Sequence, residues 1–183
     1  MSTFKIHSIE SAPEQSKARL EQSVKSFGSV PGLHGVLAES PQLFEAYQTL
    51  HKLFAESSFD NEELTVVWQT VNVEHACHYC VPAHTGIAHM MKINPAITEA
   101  LRNGTELPTK KLQVLHETTL SLVRNRGAIT ESELKTFFDA GYTERSLLDI
   151  ILGISQKVIS NYTNRVAETP VDKAFEKFAW KKA

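Results

Sequence analysis

Helix-boundary signals recur along this chain from Ser11 to Pro170, and no segment shows the alternation of apolar and polar residues that a half-buried strand requires. Ser11-Ala-Pro-Glu14 has the spacing of a capping box, and Leu20, Val24 and Phe27 follow on one face before Gly28. Ser40-Pro41 reads as an N-cap with proline at the first helical position, and Leu43, Tyr47, Leu50 and Phe54 form the apolar stripe behind it. Asp60 caps a helix whose first turn holds Glu62 and Glu63, where carboxylates suit the positive end of the helix dipole. Val66, Val67, Thr70 and Val71 continue that helix, because the β-branched run at 65–67 has no turn-linked partner strand nearby.

The same signals divide the second half of the chain. Asn94-Pro95 opens a short helix that reaches Asn103-Gly104. Pro108-Thr109 opens another, with Leu112, Leu115, Thr119 and Leu122 on one side and a stop at Arg126-Gly127. Thr130-Glu-Ser-Glu133 is a second capping box, with Leu134, Phe137 and Phe138 before Gly141. Thr143 opens a long helix carrying Leu147, Ile150, Ile151, Ile154 and Val158, and Thr169-Pro170 opens the last. Val30 to Glu39, broken by Pro31, Gly32 and Gly35, reads as a loop or short turn. The expectation is one all-α domain spanning residues 1–183, a helical bundle of about eight helices.

A chain of 183 residues is long enough to bury a sizeable core. A net charge of −2 removes any general attraction to nucleic acid or to an anionic membrane. The tail from Lys173 to Lys182 is mildly basic, and its Phe175, Phe178 and Trp180 read as a terminal helix docking its apolar side. The opening Met1-Ser-Thr-Phe-Lys-Ile-His7 has no apolar run of the signal-sequence kind, and no segment approaches a membrane span. The cytoplasm, where thiols are kept reduced, is the expected compartment.

Chemistry is concentrated between Glu74 and His84. Both cysteines of the chain lie there, three residues apart, and a histidine follows four residues after the second. Pro82 lacks an N–H and is tolerated only near a helix start, so Cys77 and Cys80 belong at or next to an N-terminus, in a helix running to about Lys92. The helix end carries roughly half a positive charge and free N–H groups, both of which favour a thiolate. Cys80 and His84 share a face, and an imidazolium there would lower a thiol pKa further. Cys80 is therefore the candidate attacking thiolate, and Cys77 the thiol that closes the disulfide. Glu74, three positions before Cys77, is the nearest acid; it would relay a proton through His84 or a water, or orient His84.

Two other readings compete. Two inert buried thiols would be small hydrophobes. A zinc site would take Cys77, Cys80, His84 and His75 or His89, but four ligands crowded at one helix start cannot easily surround a metal tetrahedrally. The site is therefore expected to hold no metal and to need no cofactor. His78 and His89 read as surface or packing residues, as Trp68 and Tyr79 read as packing; His7, His34, His51 and His116 receive no role.

From Cys77-His-Tyr-Cys80-Val-Pro-Ala-His84 and the preceding helix from Glu62 through Val73, the chain resembles the alkyl hydroperoxidase D-like branch of the carboxymuconolactone decarboxylase family. The core of the resemblance covers residues 55–105, and the flanks, from Leu33 to Ser58 and at Ala140-Gly-Tyr-Thr143, resemble its longer peroxidase-related members. The resemblance implies an all-helical fold, a homotrimer or homohexamer, and thiol-dependent reduction of hydrogen peroxide or organic hydroperoxides. It implies Cys80 as the peroxidatic cysteine, Cys77 as the resolving one, and His84 as the motif histidine, with an external dithiol as reductant. The family's proton-relay glutamate lies in the preceding helix at the position Thr65 holds here, so that role would pass to Glu74 or Glu63. Outside peroxide reduction, two alternatives stand: a lactone decarboxylase-type enzyme, which needs no dithiol, and a redox-sensing oligomeric protein that does not turn over.

Overall fold

The computed structural model describes residues 4–182; the first three residues of the signal-sequence reading, Met1-Ser-Thr, lie outside them. Within the described residues all regular structure is helical: nine α-helices and a 3-10 segment. They are α1 (Glu14–Phe27), α2 (Gly32–Leu37), α3 (Pro41–Ala55), α4 (Asn61–Glu74), α5 (Cys80–Met90), α6 (Pro95–Asn103), α7 (Lys110–Arg124), α8 (Glu131–Asp139) and α9 (Glu144–Ala167), with the 3-10 segment at Lys173–Phe178. None is long and apolar enough to cross a membrane, among the described residues.

Most starts fall where the caps predict. Ser40, Thr109, Thr130 and Thr143 each accept a backbone N–H of the first turn, and Asp60 with Glu63 closes a full capping box at the head of α4. Gly28 and Gly104 end α1 and α6 in the left-handed conformation that lacks a steric penalty only for glycine.

Three local expectations fail, each for a tertiary reason. Ser11 does not cap α1: its hydroxyl accepts from the Ser8 N–H and meets the His7 ring, and the helix begins behind Pro13. Residues 30–39 are not a loop: Gly32–Leu37 is a helix with every residue buried. Its first N–H donates to Asp172, 140 residues away, and its second to the Tyr79 hydroxyl, so the groups a short helix leaves unpaired are capped by distant chain. Thr169-Pro170 opens no helix; the chain continues to Asp172 and a single 3-10 segment.

α4 lies at the centre, against α5, α6, α7 and α9. Two clusters fill the interior. The larger joins Phe54, Phe59, Val66, Val67 and Trp68 to Leu115, Phe137 and Ile150. The smaller joins Leu20, Leu33, Leu37, Phe44 and Tyr47 to Cys77, Tyr79 and Cys80. Some expected stripe residues face outward: Phe27, Leu43 and Ile151 are exposed, and Phe44 rather than Leu43 enters the core from α3.

The C-terminal segment closes over α5, as the docking of Phe175 and Phe178 predicts. A Cβ on Gly86 would overlap the Phe175 ring, so the close approach requires glycine. Arg102 donates to the Phe178 and Ala179 carbonyls, and the Trp180 indole donates to the Arg102 carbonyl. Gly86→Ala should push this segment off at a cost of about 1–3 kcal/mol, the usual range for overpacking. Faster tryptic cleavage at Lys173 or Lys177, with a lowered melting temperature, is the expected readout; unchanged digestion would show that the segment can shift without detaching.

Candidate active site

The turn between α4 and α5 sets the two thiols. α4 ends in a Schellman motif: Ala76 N–H donates to the Val73 carbonyl and Cys77 N–H to the Asn72 carbonyl, at 3.0 Å each. Ala76 takes the left-handed position with φ 48°, a cost of roughly 1–2 kcal/mol for a residue with a Cβ. That reversal carries Cys77 to the head of α5, where the N–H of Cys80 donates to its sulfur at 3.3 Å. Cys77 thus precedes the helix rather than lying on it; α5 starts at Cys80, with Pro82 in its first turn.

Both thiols are free and buried, with exposures of 1% for Cys77 and 2% for Cys80. They are not equivalent. Burial opposes charge on Cys80, but the Cys77 thiol hydrogen bond, the charge of Lys157 and the amides of Asn161 and Asn164 together bring it down to about 6. The Asn164 amide donates directly to the Cys80 sulfur at 3.3 Å. Cys77 moves the other way: its hydrogen bond to Cys80, then burial, then the Cys80 charge hold it as a thiol.

His84 is buried on α5, and its Nε2 lies 2.7 Å from the Nζ of Lys157 on α9. Burial, Lys157 and His51 all push its pKa well down. The imidazole is therefore neutral, which corrects the expectation that an imidazolium stabilises the Cys80 anion. That charge comes from Lys157. Burial lowers the Lys157 pKa and the Cys80 charge opposes that shift; with Lys157 as the donor of this pair, His84 Nε2 accepts and the ring proton sits on Nδ1. Trp68 packs on the His84 ring at 5.2 Å, and His51 stacks on Trp68 at 5.3 Å.

A buried polar network frames the group. Gln69 donates to the Val81 carbonyl and the Thr85 hydroxyl, Asn72 donates to Gln69, and Asn161 donates to Asn72. These bonds tie α4, α5 and α9 together, and paired amides of this kind hold a low-dielectric site in one geometry.

Glu74 is not brought to this group. It ends α4, and its carboxylate accepts two hydrogen bonds from Arg124, at 2.8 and 2.9 Å, with Lys182 also near. The Arg124 hydrogen bonds hold its pKa below the usual carboxylate range. Among the described residues it makes no hydrogen bond to His84, Cys77 or Cys80. Glu63 serves the α4 cap and pairs with Lys111 at 2.8 Å, and Thr65 donates to the Asn61 carbonyl. The ligands a zinc site would add are elsewhere: His75 meets Asn161 and His89 packs on Phe178. No group of three or more His, Cys, Asp or Glu could hold a metal ion, among the described residues.

Sequence reasoning missed Lys157, Asn161 and Asn164. One signal was available: Lys157 lies seven residues after the fully buried Ile150, in phase with the inner face of α9. A lysine on a core line needs a reason.

No protein-family model matches the sequence, and no curated protein matches it. Solved structures do. A peroxidase-related protein from Ralstonia eutropha JMP134, described as an alkylhydroperoxidase AhpD core, superposes with a TM-score of 0.85 over 95% of this chain and 94% of its own, at 17% identity. A peroxidase-related protein from Silicibacter sp. TM1040 gives 0.78 over 94% of each chain, at 16% identity. A cysteine-to-alanine variant of the debrominase Bmp8, bound to 2,3,4-tribromopyrrole, gives 0.74 over 97% of this chain and 95% of its own, at 14% identity. With an all-helical architecture, a central α4–α5 pair and a near full-length match to those structures, the chain has the alkylhydroperoxidase AhpD-like fold.

Proposed function

We propose that this protein is a thiol-dependent peroxidase, reducing hydrogen peroxide or organic hydroperoxides through a Cys77–Cys80 dithiol/disulfide cycle. The observation that carries the reading is the opposite bias of two adjacent free thiols, one drawn toward thiolate and the other held protonated. A nucleophile and a resolving thiol need that division.

The Cys80 thiolate attacks the peroxide; an S–O bond forms, the O–O bond breaks, and the departing oxygen takes a proton. The sulfenic acid on Cys80 is then attacked by the Cys77 sulfur, an S–S bond forms, and water leaves. An external dithiol returns the pair to its reduced state by exchange. The proposed setting is the cytoplasm. Leu148, Ile151, Tyr162 and Val166, exposed along α9, would suit assembly into a trimer or hexamer, which light scattering of the purified protein tests.

The test is peroxide consumption with a small dithiol as reductant. Many turnovers per chain, rising with pH through about 6 as Cys80 loses its proton, are expected. The sign follows from the depressed pKa: the reactive form is lost as pH falls below it. A single oxidation per chain, accompanied by a change in assembly size, would favour the redox sensor instead. Turnover of a lactone acid by a double cysteine variant would favour the decarboxylase.

The likeness to Bmp8 supports a second reading, reductive debromination. The same dithiol-to-disulfide conversion supplies the two electrons that replace a C–Br bond by C–H and release bromide. Bromide release from a bromopyrrole without peroxide consumption would select it.

A further inference from the structure

Lys157 is fully buried, and its hydrogen-bond partner is His84. A buried ammonium is costly unless an opposite charge accompanies it. No carboxylate pairs with Lys157 among the described residues. The elements against α9 supply few candidates: α5 brings His84, α3 brings His51, and the α4–α5 turn with the α5 head brings Cys77 and Cys80. Tyr47 of α3 also faces Cys80, but burial and the Cys80 charge raise its pKa and keep it a neutral phenol; four further ionisable groups near these elements are engaged elsewhere. Glu63 meets Lys111, Glu74 meets Arg124, His34 of α2 meets Ser23, and His116 of α7 meets Thr70. The charge that can balance Lys157 is the Cys80 thiolate.

We propose that Lys157, acting through His84, holds the proton released by Cys80 and returns it to the oxygen that departs when Cys80 is oxidised. The inference rests on the dithiol cycle above and assigns its proton. In the reduced state the buried pair is the Lys157 ammonium and the Cys80 thiolate. On attack, sulfur is oxidised and the peroxide reduced. His84 passes its Nδ1 proton to the departing alkoxide or hydroxide and receives one from Lys157 at Nε2. The products are the Cys80 sulfenic acid, an alcohol or water, and neutral Lys157. Neutral Lys157 next accepts the Cys77 proton and delivers it to the hydroxide that leaves as the disulfide closes. An external dithiol then supplies two protons with its two electrons, one to Cys77 and one to His84 Nδ1, as Nε2 returns its proton to Lys157.

Every stage of this cycle leaves the site without net charge. Burial pulls Lys157 toward its neutral form, and the charge on Cys80 resists that pull. Once sulfur is oxidised the resistance is gone, and the lysine must give up its proton. Lys157 is in this sense a positioning residue for the proton, and a carboxylate relay at Glu74 or Glu63 is not required.

Two measurements test it without any peroxide. The ultraviolet thiolate absorbance of reduced protein, titrated with pH, should show its first midpoint near 6 in wild type. In Lys157→Met, which keeps the length and removes the charge, the midpoint should rise by one unit or more, a fall of about tenfold or more in the thiolate-to-thiol ratio at the wild-type midpoint. A superimposable titration would overturn the proposal. The second measurement uses wild type alone and so survives a variant that fails to fold. The NMR signal of the Lys157 side-chain nitrogen should be that of an ammonium in the dithiol form and of a neutral amine after oxidation with diamide. A lysine still charged beside the disulfide would overturn the proposal. If both results hold while peroxide is not consumed, the peroxidase reading falls and the proton store stands for another two-electron acceptor.

Discussion

Cys80→Ser is expected to remove peroxide-dependent dithiol oxidation, a loss of about 10³-fold or more, down to the solution background. A serine hydroxyl in the same place does not ionise near neutral pH, even with Lys157 and Asn164 around it, and it cannot pass through a sulfenic acid. Cys77→Ser is expected to stop turnover at a different point. The hydroxyl can still donate to the Cys80 sulfur and Lys157 is untouched, so the first oxidation proceeds and the sulfenic acid on Cys80 accumulates. Mass spectrometry with a sulfenic-acid trapping reagent should find the adduct on Cys80 in this variant. Residual turnover in Cys80→Ser, or a sulfenic-acid adduct on Cys77 in that variant, would reverse the roles or sink the peroxidase reading altogether.

Phe54→Ala is the structural counterpart, with an expected loss of about 3–5 kcal/mol. Phe54 is fully buried at the joint of α3, α4 and α9. It stands edge-on to Trp68 at 5.3 Å and to Phe59 at 6.1 Å. Gly153 on α9 is packed so close that a Cβ there would lie 2.8 Å from the Phe54 ring. Truncation leaves a void that three helices must share, and the loss is a large fraction of the roughly 5–15 kcal/mol that holds a domain folded. Trp68 also supports His84, so turnover of the folded fraction should fall as well. Urea unfolding measures the first effect; a loss below about 1 kcal/mol would mean that the joint collapses onto the vacancy.

Helix starts were legible wherever a cap lies within a few residues of the turn it serves. The capping boxes at Asp60–Glu63 and Thr130–Glu133 and the Ser40-Pro41 start are such cases. Ser11 has the same local pattern, yet the His7 ring and the Ser8 N–H take its hydroxyl. The Gly32–Leu37 helix was illegible, because Asp172 and Tyr79 supply its caps from the far side of the fold. Apolar stripes were legible for the middle of α7 and less so for α9, whose buried face turns polar at Gln156, Lys157, Ser160, Asn161 and Asn164. That turn is where the helix leaves the large apolar cluster and meets the thiols.

The sequence by itself determined that the chain is helical and that two cysteines and a histidine gather at the start of one helix. Those facts rest on hydrogen bonds and side-chain neighbours a few residues apart. It also proposed which cysteine attacks, from helix position and an imidazolium that the fold leaves neutral. Only the tertiary structure decided the charges. Desolvation silences His84 as a cation, and Lys157, 73 residues further on, supplies the positive charge in its place. Glu74, the nearest acid in sequence, turns instead to Arg124, 50 residues away. Protonation in a buried site depends on what is near in space and on how much water is excluded, and neither is written in the spacing of a motif.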